Sequence, residues 1–189
     1  MRADFPVVLD ACVLAPANLC DLLLSLAETP RLYLPLWSEE ILQEVKRTQA
    51  EDLEWPPHLV EHWQTNVRDA FPEAIITHYQ YLIPVCTNHE KDCHVLAVAI
   101  KAKAEVIVTA NLRHFPTESL APWGVEAIDP ASYLINLHTL DPGIVVSRLE
   151  SIARRRKLAP EVVLAKLGRS VPAFAQHVAG ALGWQLPEV

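Results

Sequence analysis

The fold is decided by residues 90–111, EKDCHVLAVAIKAKAEVIVTAN, which predict a helix followed directly by a buried strand. Apolar residues recur at helical spacing between Val95 and Ile100. The β-branched run in EVIVTAN, residues 105–111, is typical of a strand. A helix that leads into such a strand is part of the pattern in which parallel strands alternate with helices.

The first residues of the chain supply a second strand of the same kind. Residues 5–14 read FPVVLDACVL, and the apolar run before Asp10 suits a strand buried on both faces of a parallel sheet. The remaining elements alternate in the same way, so we predict a three-layer α/β/α fold with a central parallel sheet. The further predicted elements are helices over 16–28, 38–49 and 55–71, an extended segment over 31–38, and strands over 81–86 and 124–129.

Composition places the chain among ordinary globular proteins. Its 189 residues are 51% hydrophobic and 21% charged, which suits one good core and a small appendage. No apolar run approaches the roughly 18 residues that span a bilayer, and MRADFPVV does not resemble a secretion signal. The four cysteines have no C-x-x-C spacing, so we expect reduced thiols and a cytoplasmic protein without membrane contact.

Charge is unevenly distributed along the chain. Residues 1–139 hold nine basic and nineteen acidic side chains, a net charge of −10, whereas residues 140–189 hold seven and four, a net charge of +3. An acidic body usually repels nucleic acid. A nuclease whose carboxylates hold cations is the exception, because the metal supplies the missing positive charge.

Polar residues follow the predicted strands and are candidates for a shared site. Asp10 and Asn111 end two strands, Asp92 lies in the first turn of the helix between them, and Glu44 lies well inside the helix of SEEILQEVKR. The carboxyl ends of parallel strands lie at one edge of a sheet, and ligands bind in the crevice outside that edge. We therefore expect these residues to converge, although they are distant in the chain.

Each candidate also has a structural interpretation. Asp10 can cap a helix, Asp92 can complement a helix dipole, Glu44 can be a solvated residue and Asn111 can end its strand in a turn. His94 is expected to be a hydrogen-bonded structural histidine, and His114 is expected to lie on the surface. Jointly, the acids favour a Mg²⁺ or Mn²⁺ site, because these ions prefer oxygen ligands and activate water for phosphodiester hydrolysis.

Three segments together resemble the PIN domain, the nuclease fold of VapC-type toxins in bacterial toxin–antitoxin pairs. The resemblance covers roughly residues 5–135. It depends on the order and spacing of Asp10, Glu44 and Asp92, on the D-x-x-x-L-A pattern that begins at Asp92, and on the strand VIVTAN. The three segments are VVLDACVL, EEILQEVKR and KDCHVLAVAIKAKAEVIVTANLRHFP.

The resemblance implies catalytic roles for Asp10, Glu44, Asp92 and Asn111, with Asp10 and Asp92 as metal ligands. The family's fourth position is often Asp where this chain has Asn111, and the pattern N-L-x-D-F-P has its Asp where this chain has His114. The site therefore has less negative charge than the family pattern. Two consequences stay open: a one-metal enzyme that favours Mn²⁺, or a weakened nuclease.

The region after residue 138 is predicted to be a separate helical domain, with residues 1–138 as the PIN-like nuclease domain. Three helices are expected, separated near 157–160 and 168–172. A basic run of Arg154, Arg155 and Arg156 ends the first of them and has two interpretations, a solvated helix end or a contact with RNA or an acidic partner. The candidate RNA-binding or partner-binding residues are Arg113, His114, Arg154, Arg155 and Arg156.

The sequence favours a metal-dependent endoribonuclease, the toxin of a type II toxin–antitoxin pair. The implied partners are an RNA substrate and a cognate antitoxin protein, and a homodimer is allowed. One alternative is a degenerate PIN scaffold that binds RNA or a protein without cleaving. A phosphatase-like enzyme is weaker, because the second Asp that such a site usually has two residues after the first is Cys12 here.

Overall fold

A four-stranded parallel sheet forms the centre of the computed structural model, which describes residues 5–188. The strands lie in the order β2-β1-β3-β4. Val8 of β1 lies opposite Leu36 on one side and Ile107 on the other. The predicted α/β/α fold is thereby confirmed, and all carboxyl ends of the strands lie at one edge. The strands are β1 (Pro6–Leu9), β2 (Leu34–Leu36), β3 (Val106–Val108) and β4 (Glu126–Ile128).

Helices connect the strands and form the carboxyl-terminal part of the described chain. The helix that begins at Glu39 shows how the sequence sets the start of a helix: the Ser38 hydroxyl caps it by accepting a hydrogen bond from the Ile41 N–H at 3.2 Å. The helices are α1 (Ala11–Leu14), α2 (Ala17–Ala27), α3 (Glu39–Arg47), α4 (Pro57–Ala70), α5 (Cys93–Ala102), α6 (Thr117–Leu120), α7 (Pro130–Leu140), α8 (Pro142–Arg156), α9 (Pro160–Leu167) and α10 (Pro172–Leu182).

One predicted element is wrong. Residues 81–86 do not form a strand, because Gln80–Val85 is a 3₁₀ helix that packs against α5. Pro84 lies inside this segment and has no N–H to donate to a sheet, while Tyr81 and Val85 are exposed instead of buried. The short helix α1, directly after β1, was not predicted.

The hydrophobic core is built around β1, β3 and α5. Val7, Val8 and Leu9 of β1 are fully buried, as are Ile107 and Val108 of β3. Every residue of α5 from position 93 to position 99 is buried as well. This burial on both faces explains the continuous apolar runs from which the parallel sheet was predicted.

Three carboxyl-terminal helices, α8 to α10, occur where they were predicted. Helix α8 packs against α2, and its buried residues Val145, Leu149 and Ile152 belong to the same hydrophobic cluster as the sheet. The division of the chain at residue 138 stays a prediction. No helix within residues 5–188 is both long and apolar enough to cross a membrane.

Candidate active site

The site lies where the connections of the sheet change direction. From β1 the chain proceeds to β2 on one side, and β3 then pairs with the opposite side of β1. Such a switch point opens a crevice at the carboxyl ends of the two central strands. Asp10 and Thr109 directly follow β1 and β3 and therefore lie next to one another.

Asp10 is 3% exposed, and both of its carboxylate oxygens are engaged. One oxygen accepts a hydrogen bond from the Ala11 N–H at 2.7 Å, so Asp10 does cap α1. The other accepts hydrogen bonds from the Thr109 hydroxyl at 2.6 Å and from the Cys12 thiol at 3.1 Å. The cap fixes the position of the carboxylate at the strand end, which is compatible with a second role as a ligand.

Thr109 connects Asp10 to the loop after β3. Its hydroxyl oxygen accepts a hydrogen bond from the Asn111 N–H at 3.0 Å while the hydroxyl donates to Asp10. Burial, followed by the charge of Asp10, raises the pKa of Cys12 to about 12, so the thiol remains a donor at neutral pH. Asn111 precedes the 3₁₀ turn Leu112–His114. Its backbone N–H is linked to the Asp10 carboxylate through the Thr109 hydroxyl.

The negative charge of Asp92 acts on the Asp10 carboxylate. Burial raises the pKa of Asp10, hydrogen bonds from Thr109 and Cys12 oppose the rise, and the negative charge of Asp92 adds to it. A carboxylate whose ionisation is opposed by burial and by a second acid is a group that a cation would stabilise. Asp92 ends the 3₁₀ turn Glu90–Asp92 and precedes α5, but its side chain makes no capping bond, so the carboxylate is available for other contacts.

His94 is a buried residue of α5 that contacts Glu44. The side chain is 5% exposed, and its Nε2 lies 3.4 Å from a carboxylate oxygen of Glu44. Burial lowers the pKa of His94, but the contact with Glu44 and the charges of Glu40 and Asp10 outweigh it, so the net pKa is raised. His94 is thus a buried residue of α5 that lies against Glu44 of α3, and the charges of Glu44 and Asp10 both act on its ring.

His114 does not lie free on the surface, contrary to the prediction. Its side chain is 22% exposed, and its Nδ1 lies 2.9 Å from Oδ2 of Asp92. The ring also stacks on His89, with 4.2 Å between the ring centroids. The residue therefore stands beside the candidate site, where its imidazole replaces the acid of the family pattern.

The basic run lies elsewhere and has contacts of its own. Arg155 and Arg156 both pair with Asp21 of α2, at 2.6 Å and 2.7 Å. Arg154 is exposed and lies 3.9 Å from Glu150. Two of the three guanidinium groups therefore join α8 to α2, and an RNA contact by the run stays a prediction, as it does for the exposed Arg113.

Thr109 was not among the residues predicted from the sequence, and its hydroxyl can be tested directly. We expect Thr109→Val to lower RNA cleavage on the order of 10-fold, the effect typical of groups that orient a metal ligand. The reason is that Asp10 loses its shortest hydrogen bond. Thr139→Val is the matched control, because the Thr139 hydroxyl bonds only the Ile135 carbonyl on an exposed part of α7. Equal cleavage rates for the two variants would contradict the role of Thr109.

The parallel sheet with its covering helices is consistent with a PIN-like fold, and the chain belongs to the VapC-type PIN-domain proteins. Over 126 residues it is 36% identical to the "Putative ribonuclease VapC50" of Mycobacterium tuberculosis (strain ATCC 25618 / H37Rv), which covers 63% of this chain and 74% of the relative. No family model matches the chain, and no solved structure matches it.

Proposed function

We propose that the protein is a metal-dependent endoribonuclease that hydrolyses RNA phosphodiester bonds. The observation that carries the proposal is the buried carboxylate of Asp10 at the carboxyl edge of the sheet, whose pKa is raised by burial and by the charge of Asp92. The Glu44 carboxylate lies 3.4 Å from His94, on which the charge of Asp10 also acts. The name of the relative from M. tuberculosis points to the same activity. Clustered, partly desolvated carboxylates of this kind favour a hard divalent cation.

Mg²⁺ or Mn²⁺ fits the oxygen donors of the site. Asp10 and Asp92 would hold the ion, Glu44 would complete its surroundings or orient the attacking water, and the Asn111 side chain would add a neutral oxygen. The ion would activate water and stabilise charge on the leaving oxygen. The chain itself contributes orientation: the cap at Ala11 and the Thr109 hydroxyl hold Asp10 in place, while His94 holds Glu44.

A toxin of a type II toxin–antitoxin pair is the biological role that membership of the VapC-type proteins supports. A cognate antitoxin would inhibit such an enzyme by covering the acidic edge. Arginine side chains suit this purpose, because a guanidinium group binds carboxylates through paired hydrogen bonds. A homodimer stays a prediction.

A PIN scaffold that binds RNA or a partner without cleaving is the second candidate. The observation that favours it is the contact of His114 with Asp92 at 2.9 Å. If His114 is protonated, its positive charge neutralises Asp92 and competes with a cation there. The two candidates differ in whether divalent metal supports cleavage.

We expect purified protein to cleave single-stranded or looped RNA when Mn²⁺ or Mg²⁺ is added, and EDTA to stop cleavage completely. The reason is that the carboxylates alone repel the phosphate backbone, whereas a bound cation attracts it. Gel electrophoresis of a labelled RNA measures the result, and addition of excess Mn²⁺ after EDTA should restore the activity. Cleavage that persists in EDTA would contradict metal dependence, and RNA binding without cleavage at any metal concentration would favour the scaffold.

A further inference from the structure

Two histidines and one carboxylate form a cluster beside the candidate active site. His89 begins the 3₁₀ turn that Asp92 ends, and His114 ends the 3₁₀ turn after β3. The two turns are joined by the backbone, because the His89 N–H donates to the His114 carbonyl at 3.0 Å. The chain therefore holds these three side chains together without any bound group.

The possible ligand atoms of the cluster converge on one point. Nδ1 of His114 lies 2.9 Å from Oδ2 of Asp92, and Nδ1 of His89 lies 3.3 Å from the same oxygen. All three ligand atoms lie within 4.8 Å of one another. The rings of His89 and His114 are stacked with an interplanar angle of 16°.

The Asp92 oxygen and the His114 nitrogen form no hydrogen bond of acceptable geometry at this short distance. Oδ2 of Asp92 and Nδ1 of His114 are both buried, and neither has a hydrogen-bond partner of acceptable geometry despite their separation of 2.9 Å. Nδ1 of His89 accepts only a long contact of 3.4 Å from the Lys91 N–H. Ligands bound about 2.0–2.1 Å from a shared ion lie roughly 2.9 to 3.4 Å apart for angles between about 90° and the tetrahedral angle, which matches the two nitrogen–oxygen distances.

We propose that His89, Asp92 and His114 bind a divalent first-row transition-metal ion through the two imidazoles and Oδ2 of Asp92. Imidazole nitrogen selects Zn²⁺, Co²⁺ and related ions over Mg²⁺, which prefers oxygen ligands. The cluster is distinct in ligand chemistry from the carboxylate set of Asp10 and Glu44. Asp92 belongs to both: Oδ2 is its ligand atom here, and its other oxygen would serve the ion that we propose at Asp10.

The metal site does not depend on nuclease activity. Its role in the reaction does rest on the proposed function: an ion at this position would add positive charge where the family pattern places an acid, and would make cleavage respond to transition metals. Binding is therefore measured without RNA, so that the two proposals fail separately.

The test is a titration of metal-stripped protein with Zn²⁺ by calorimetry, and with Co²⁺ by visible absorption, which reports nitrogen coordination. The variants are His89→Gln and His114→Gln. His58→Gln is the matched control, because His58 is an exposed histidine at the start of α4. Thermal unfolding checks each variant, and the side chain of His89 is 44% exposed, so its replacement is compatible with folding.

We expect His89→Gln and His114→Gln to weaken Zn²⁺ binding at least about 10-fold and to change the Co²⁺ spectrum, with His58→Gln unchanged. Zn²⁺ affinity and Co²⁺ spectra equal to those of the unmodified chain in both variants would overturn the site, and so would an absence of binding to the unmodified chain. Binding lost in both variants of a protein that cleaves no RNA supports the metal site and contradicts the nuclease. If the unmodified protein cleaves RNA and both histidine variants bind metal normally, the result supports the nuclease and contradicts the metal site.

Discussion

Replacement of Asp10 or Asp92 by Asn is expected to abolish RNA cleavage, with a loss of at least about 100-fold in rate. Each substitution removes a negatively charged ligand from the cation that we propose, and 100-fold corresponds to about 3 kcal/mol of transition-state stabilisation. Initial rates with saturating Mn²⁺ on one labelled RNA measure the effect. Asp69→Asn is the matched control, because Asp69 is an exposed acid on α4.

A stability measurement distinguishes a loss of catalysis from a loss of the folded structure. Asn is as good a helix cap as Asp, so the bond from the Ala11 N–H can remain in Asp10→Asn. Burial raises the pKa of Asp10 above its usual 3.8, so ionisation of Asp10 favours the unfolded chain. This contribution of Asp10 to stability is fully present below pH 3.8 and is lost as the pH rises through the folded pKa.

Metal-free Asp10→Asn is therefore expected to be at least as stable as the unmodified chain at neutral pH. Thermal unfolding in EDTA measures this. Cleavage at the unmodified rate by both carboxylate variants would show that the acids do not act in the reaction. A large drop in melting temperature would instead assign Asp10 a structural role.

Truncation of Leu149 to Ala is expected to lower the free energy of unfolding by about 2–5 kcal/mol. Leu149 is fully buried in α8, which packs against α2. The loss is a large part of the roughly 5–15 kcal/mol that stabilises a typical domain. Urea unfolding followed by circular dichroism measures it.

The shared core predicts that this loss affects the whole protein in one transition. Leu140→Ala is the matched control, because Leu140 is 68% exposed at the end of α7 and its truncation should change stability by less than about 0.5 kcal/mol. Two transitions, of which only one moves in Leu149→Ala, would favour an independent carboxyl-terminal domain from residue 139.

The regular elements were predictable because their patterns are local. Helix α5 and strand β3 have apolar runs of the correct length, and the breaks between α8, α9 and α10 follow from Pro160 and Pro172, which begin helices. The segment 81–86 was mispredicted because a short apolar run has no period that separates a strand from other structure. Its location outside the sheet depends on its packing against α5, which the local sequence pattern does not show.

The acids of the candidate site were identified for a different reason. Asp10, Glu44 and Asp92 were identified by their position relative to strands and helices and by the family resemblance. His89 and Thr109 were missed, because a single turn residue carries no pattern of its own. Only the backbone bond between the turns at His89 and His114, and the pairing of β1 with β3, bring these side chains to the acids.

The most direct test of the shared cation pocket is a crystal structure grown with Mn²⁺, with diffraction data collected at the manganese absorption edge. Our interpretation predicts an anomalous peak within coordination distance of both the Asp10 and the Asp92 carboxylates, with Glu44 nearby. The shared cation pocket would be contradicted if manganese were absent from the carboxyl edge of the sheet or bound on another surface. Both carboxylates would then contact only protein groups.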